Sequence, residues 1–174
     1  MRLACRLVPS KQASLVVEPV PLAGHARIQV GFEPAGGGVA AGGTPVHLGC
    51  AVDIGTTTVV VYLVDLSNKT VLGERAALNR QRRYGADVIS RIQHCQQYPL
   101  AIAELQQAIV GQLDAMIKDL CESHGVAPQR LERVVAVGNP TMIHLLVKAD
   151  PSGIACAPFT CAFTAALEST GAAI

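Results

Sequence analysis

Six consecutive residues, Asp53-Ile-Gly-Thr-Thr-Thr58, carry a carboxylate, a flexible backbone position and three hydroxyls inside the string "AVDIGTTTVVVYLVDL". That combination suits phosphate chemistry. Gly55 lets the backbone turn tightly or approach a ligand closely. Exposed amides and the hydroxyls of Thr56, Thr57 and Thr58 can donate hydrogen bonds to phosphate oxygens. Asp53, at the end of an apolar run, can hold a hydrated divalent cation. The same spacing also fits a plain hairpin whose threonines simply favour β structure.

A second candidate is "GNPTMIHLL", which begins at Gly138. Asn139 suits a helix N-cap and Pro140 the first helical position, so a helix starts at the end of the short apolar strand Val134–Val137. Ligands in open α/β sheets favour the carboxyl ends of strands, and helix N-termini attract anions. A well-capped structural helix explains the same residues. His144 sits among apolar neighbours and reads as packed rather than basic. The six cysteines, Cys5, Cys50, Cys95, Cys121, Cys156 and Cys161, form no C-x2-C pair. Cys50 reads as a small core residue, and His94–Cys95 with Cys121–His124 as two helical pairs rather than a metal site.

The elements that must position these groups follow from periodicity. Leu48–Ile54, Val59–Leu66 and Thr70–Leu78 read as three antiparallel strands in series, with a turn at Ser67–Lys69. Ala86–Gln96 predicts a short helix with Asp87 in its first turn. From Pro99 to about Ser123, Ile102, Leu105, Ile109, Leu113, Met116, Ile117 and Leu120 form one helical stripe facing a sheet, ended by Gly125. Earlier, "ASLVVEPV" (13–20) and Ala26–Val30 read as short strands. "EPAGGGVAAGGTP" (33–45) offers almost no side chains to pack and predicts a mobile linker over 35–45. The organisation expected is a small segment 1–34, that linker, and a main body from 46 to 174.

Composition narrows the classes. Half of the 174 residues are hydrophobic and the net charge is +1. A full core is available, and nothing electrostatic points to nucleic acid or an anionic membrane. No apolar run nears the roughly 18 residues needed to span a bilayer, and the first residues lack a signal-peptide core. A cytoplasmic protein is the expectation.

Taken together, "DIGTTTVVVYLVDL" resembles the first phosphate motif of the acetate and sugar kinase, heat-shock chaperone and actin superfamily. "ALNRQRRYGADVISRI" and "VVAVGNPTMIHLLVKADPSGIACAPF" are similar to the ferredoxin-like ATPases that reductively activate corrinoid proteins. The resemblance covers nearly all of residues 46–160. It implies an α/β fold, half of an actin-like (ribonuclease H-like) ATPase domain with a mixed sheet and helices. It implies ATP and Mg²⁺ as cofactors, and a corrinoid protein as partner whose cobalt is returned from Co(II) to Co(I). By motif matching, Asp53 positions Mg²⁺ through water, Gly55, Thr56, Thr57 and Thr58 cradle phosphate, and Gly138, Asn139 and Thr141 line the facing wall. "RLACRL" resembles the segment carrying the last ligand of the family's two-iron–two-sulfur cluster, which makes Cys5 an orphaned ligand, since the preceding C-x4-C-x2-C group is missing. The chain reads as an internal fragment, truncated within the actin-like domain and inactive alone, with no cluster of its own. A homodimer is compatible with this reading.

The role of Arg82, Arg83, Tyr84, Gly85 and Asp87 stays open between contact with the corrinoid partner and capping of the next helix. Two other classes stay open as well. One is a small-molecule kinase of the same superfamily, for which Asp87 is the candidate catalytic carboxylate. The other is a non-enzymatic fragment that docks to a corrinoid protein.

Overall fold

The computed structural model describes residues 14–19 and 47–170. Strand β2 (Leu48–Ile54) alternates as its sequence requires, with Leu48, Cys50, Val52 and Ile54 buried and Asp53 on the opposite, more open face. Strand β3 (Thr58–Asp65) repeats the pattern with Val59, Val61 and Leu63. The turn to β4 (Thr70–Leu78) is built by side chains: Ser67 N–H donates to Asp65 Oδ1 at 2.9 Å and Thr70 N–H to Asn68 Oδ1 at 3.0 Å, with Lys69 left-handed at φ 61°. The three strands pair antiparallel in order.

After β4 the chain makes a 3₁₀ turn, Arg80–Tyr84, that periodicity did not anticipate. Helix α1 (Val88–Gln97) then opens on a capping box, with Ser90 N–H donating to Asp87 Oδ1 at 2.8 Å and Asp87 N–H to Ser90 Oγ at 3.1 Å. Helix α2 (Ala101–Ser123) buries the predicted stripe from Leu105 to Leu120, while Ile102 at its start is half-buried. It ends at Gly125, whose φ of 65° suits glycine. The stripe packs on the face that β2 and β3 bury.

Strand β5 (Leu131–Gly138) runs parallel to β2, and helix α3 (Pro140–Leu146) starts at once behind it. The sheet is mixed and six-stranded, in the order β4-β3-β2-β5-β1-β6. Strand β1 (Ser14–Pro19) lies parallel to β5, so the N-terminal segment contributes a strand to the same sheet as the body. A short helix, α4 (Ser152–Ala155), leads towards β6 (Leu167–Thr170), which pairs antiparallel with β1. The expected strand Ala26–Val30, the linker 35–45 and Cys5 lie outside the described residues. Fold class is the α/β arrangement of mixed sheet and helices that the sequence predicts.

The stripe of α2 is the largest apolar investment of the fold, and Leu113 sits in it 2% exposed. Leu113→Ala should cost about 2–5 kcal/mol in urea unfolding. A loss below about 1 kcal/mol would contradict the packing described.

Candidate functional site

Parallel pairing of β2 with β5 aligns Asp53 with Val137 and Ile54 with Gly138, so the carboxyl ends of both strands finish side by side. The two candidate motifs, 85 residues apart in sequence from Asp53 to Gly138, therefore meet at the carboxyl ends of the two central strands. Glycine is required for that approach. A Cβ on Gly138 would lie 2.8 Å from the Ile54 carbonyl, and one on Gly55 would lie 2.5 Å from the Thr58 carbonyl. Asn139 ties the corner together. Its Oδ1 accepts Met142 N–H at 3.0 Å as the N-cap of α3, and its Nδ2 donates to Thr56 Oγ1 at 3.1 Å. Thr56 Oγ1 thereby serves as an acceptor while keeping its own O–H to donate.

The predicted residues divide into three groups. Thr57 and Thr58 are exposed, and Gly55, Thr56 and Asn139 are half-buried at the corner. Thr141 and Gly138 are buried behind it and support the wall rather than surface it. Asp53 is exposed and, among the described residues, its carboxylate takes no hydrogen bond and no ion pair. Partial desolvation by the surrounding strands raises its pKa above the ordinary 3.8. Tyr62 stands nearby, its pKa raised first by desolvation and then by the charges of Glu74 and Asp53. An unpaired, partly desolvated carboxylate fits one protein contact to a cation that keeps most of its waters, as Mg²⁺ does.

Behind the loop lies a polar network that periodicity missed. Arg91, Gln81 and Asn79 are each at most 1% exposed. Asn79 Nδ2 donates to the Gly55 carbonyl at 2.8 Å, and Arg91 Nη2 to the Thr56 carbonyl at 2.6 Å. Arg91 also donates through Nε to the Gly85 carbonyl at 3.0 Å and through Nη1 to Gln81 Oε1 and Met142 Sδ. Gln81 Nε2 reaches the Leu105 carbonyl of α2 at 2.9 Å. Burial, and next the charge of Arg82, push the Arg91 pKa down to about 10, so the guanidinium stays charged at neutral pH. The readable signal was the arginine itself, four residues beyond an N-cap aspartate and next to Ile92, a position inside the helix's buried edge.

Other candidates are structural. Asp87 is engaged as the α1 cap, and its bonds to Ser90 hold its pKa below the ordinary range. Arg83 lies over the Tyr84 ring, 4.6 Å from the centroid, and both Arg82 and Arg83 are exposed. His144 is fully buried and stacks on Phe163. Because its Nδ1 meets the Pro140 carbonyl at 2.7 Å and its Nε2 meets Ala162 N–H at 3.0 Å, it is the neutral tautomer with the proton on Nδ1. It has no free lone pair for base chemistry. The histidines of the two helical pairs point apart: His124 bridges the carbonyls of Leu120 and Leu72, whereas His94 lies between the rings of Tyr84 and Tyr98. Among the described residues no group of three His, Cys, Asp or Glu is placed to hold a metal ion, and no helix is long and apolar enough to cross a membrane.

Residues 48–174 match the family described as the RACo middle region. The corrinoid activation enzyme RamQ of Eubacterium limosum is 36% identical over 111 residues, covering 64% of this chain and 19% of that protein. A solved structure of a reductive activator for corrinoid, iron-sulfur protein superposes with a TM-score of 0.66 at 40% identity, over 70% of this chain and 19% of its own. The chain thus spans about a fifth of the length of these two relatives.

The state of Asp53 has a measurable consequence. Its folded pKa is raised, so ionisation opposes folding above the ordinary carboxyl pKa near 3.8, and that cost vanishes at lower pH. Asp53→Asn should be neutral to slightly stabilising at pH 7 without added cation, within about 0.5 kcal/mol for so exposed a group. The difference from wild type should disappear as the pH falls below about 3.8. Marked destabilisation at pH 7 would mean that the carboxylate holds the fold together.

Proposed function

The chain belongs to the RACo middle-region family, and from that premise we propose that it serves within an ATP-dependent reductive activator of a corrinoid protein. In this reading the cobalamin-dependent methyltransferase system is restored when inactive Co(II) returns to Co(I). RamQ and the solved activator are both named for corrinoid activation, which supports the partner class. The observation that carries the ATP reading is the meeting of Asp53 and the Gly55–Thr58 loop with the start of α3 at adjoining strand ends.

Each residue then has a role. Asp53 orients the waters of Mg²⁺, the Thr56 and Thr57 amides and the threonine hydroxyls take phosphate oxygens, and Asn139 fixes the gap between the two walls. Gly138 and Thr141 hold the α3 start in place. Bound Mg-ATP would supply the energy that an unfavourable reduction needs. The electron belongs to a two-iron–two-sulfur domain in a longer protein, to which the segment around Cys5 is similar. Residues 46–174 are the first part of the actin-like ATPase domain in this proposal, and the setting is the cytoplasm. The kinase reading loses its candidate base, because Asp87 is committed to capping α1. Docking to a corrinoid protein without nucleotide is the reading left if the loop binds no phosphate.

One wall of a cleft binds weakly. Each absent hydrogen bond to a charged phosphate removes about 1.5–3 kcal/mol, so calorimetric titration should give this chain an Mg-ATP Kd on the order of 0.1–1 mM. Asp53→Ala should abolish the difference between titrations with and without Mg²⁺ while leaving the circular dichroism unchanged. Binding that ignores both Mg²⁺ and the substitution would remove the phosphate role from this loop.

A further inference from the structure

Arg91 is the most costly side chain in the protein to place where it is. Its guanidinium is fully buried, and no carboxylate among the described residues pairs with it. Among the described residues the one buried acid, Asp65, ends β3 at the far end of the sheet, and Asp87 is exposed. Every hydrogen-bond acceptor of Arg91 among the described residues is neutral: two backbone carbonyls, one amide oxygen and a thioether. A neutral glutamine could brace Gly85 at lower cost, so bracing alone does not account for a charge here.

The direction of the bonds accounts for it. In a trans peptide the C=O and the following N–H point opposite ways. Asn79 draws the Gly55 carbonyl inward and Arg91 draws the Thr56 carbonyl inward. The amides of Thr56 and Thr57 are thereby turned away from the network, and neither has a protein acceptor among the described residues. Two successive outward amides, backed by a buried positive charge that forms no ion pair among the described residues, make a concavity that favours an anion. We infer that Arg91 is the positioning residue of the Gly55–Thr57 loop, turning its amides outward and supplying positive potential for a polyphosphate. The inference rests on the phosphate reading above and names the residue on which it depends. Arg91 touches no ligand itself; it acts through the Thr56 peptide.

The test uses the chain with Mg-ATP followed by nitrogen-15 amide spectra, in wild type, Arg91→Ala and Arg91→Lys. Arg91→Ala should lower Mg-ATP affinity at least tenfold, and guanidinium ion at tens of millimolar should restore at least a third of it, where ammonium does not. A purely structural arginine would give no such selective rescue of binding. Arg91→Lys, which keeps the charge but loses the fork, should fold and lose affinity fivefold or more. If Arg91→Ala does not fold, this second variant decides. Wild-type affinity in either folded variant, or loss in Arg91→Ala that guanidinium does not recover, overturns the inference. Should wild type bind no Mg-ATP, the phosphate reading fails on its own. Positioning is then read from hydrogen exchange without nucleotide: Arg91→Lys should speed exchange of the Asn79 amide, which donates to the Thr57 carbonyl at 2.8 Å, at least tenfold over that in β2 and β5. Unchanged exchange at Asn79 overturns it.

Discussion

The register between β2 and β5 is the constraint on which the rest depends. Ile54 opposite Gly138 places two strand ends, two turns and one helix start within reach of each other. The contact is close enough that a methyl group on Gly138 would meet a backbone carbonyl. A shift of one residue would send Asp53 to the buried face and Ile54 to the open one. The register thus decides at once which face packs against α2 and which carries the carboxylate. Hydrophobic burial enforces it, because Leu48, Cys50, Val52 and Ile54 can be satisfied in only one phase.

Polar groups inside the fold complete what the register begins. Buried glutamines of α2 brace the ends of other elements: Gln112 bonds the Leu78 carbonyl and the Arg80 amide, and Gln106 bonds the Leu146 carbonyl at the end of α3. Gln81 returns the contact to α2. Leaving such backbone groups unpaired would cost about 1–3 kcal/mol each, so these side chains hold the irregular segment 79–87 against the sheet. Through Asn79 that segment, and through Arg91 the helix that follows it, grip the 55–57 loop. The string "NRQRRYGADVISRI" is therefore explained by what lies beneath it, the rear support of the loop, more than by its exposed arginines.

Where periodicity governs, the sequence was legible. The three antiparallel strands and the α2 stripe follow from alternation and from three- and four-residue spacing, and Asn139-Pro140 marks the α3 start to the residue. Legibility ended where partners are distant. Gln106, Gln112 and Arg91 look like solvent-facing residues of amphipathic helices, because their acceptors are carbonyls of other segments and leave no local pattern. The place of β1 was equally hidden. Parallel pairing with β5 across more than a hundred residues has no sequence signal, and the glycine-rich stretch between them suggested separation. Asp53 and its loop were singled out by residue type, spacing and resemblance, whereas the network behind them became visible only in the fold.

In the function proposed above, Asp53, the threonine loop and the α3 start form one cation and phosphate site. Replacing Mg²⁺ by paramagnetic Mn²⁺ and recording amide line broadening locates it directly. With ATP present, broadening should concentrate at residues 53–58 and 138–141 and vanish in Asp53→Ala. Broadening centred elsewhere, such as the exposed acids Glu74 and Asp119, or persisting undiminished in Asp53→Ala, would contradict the account.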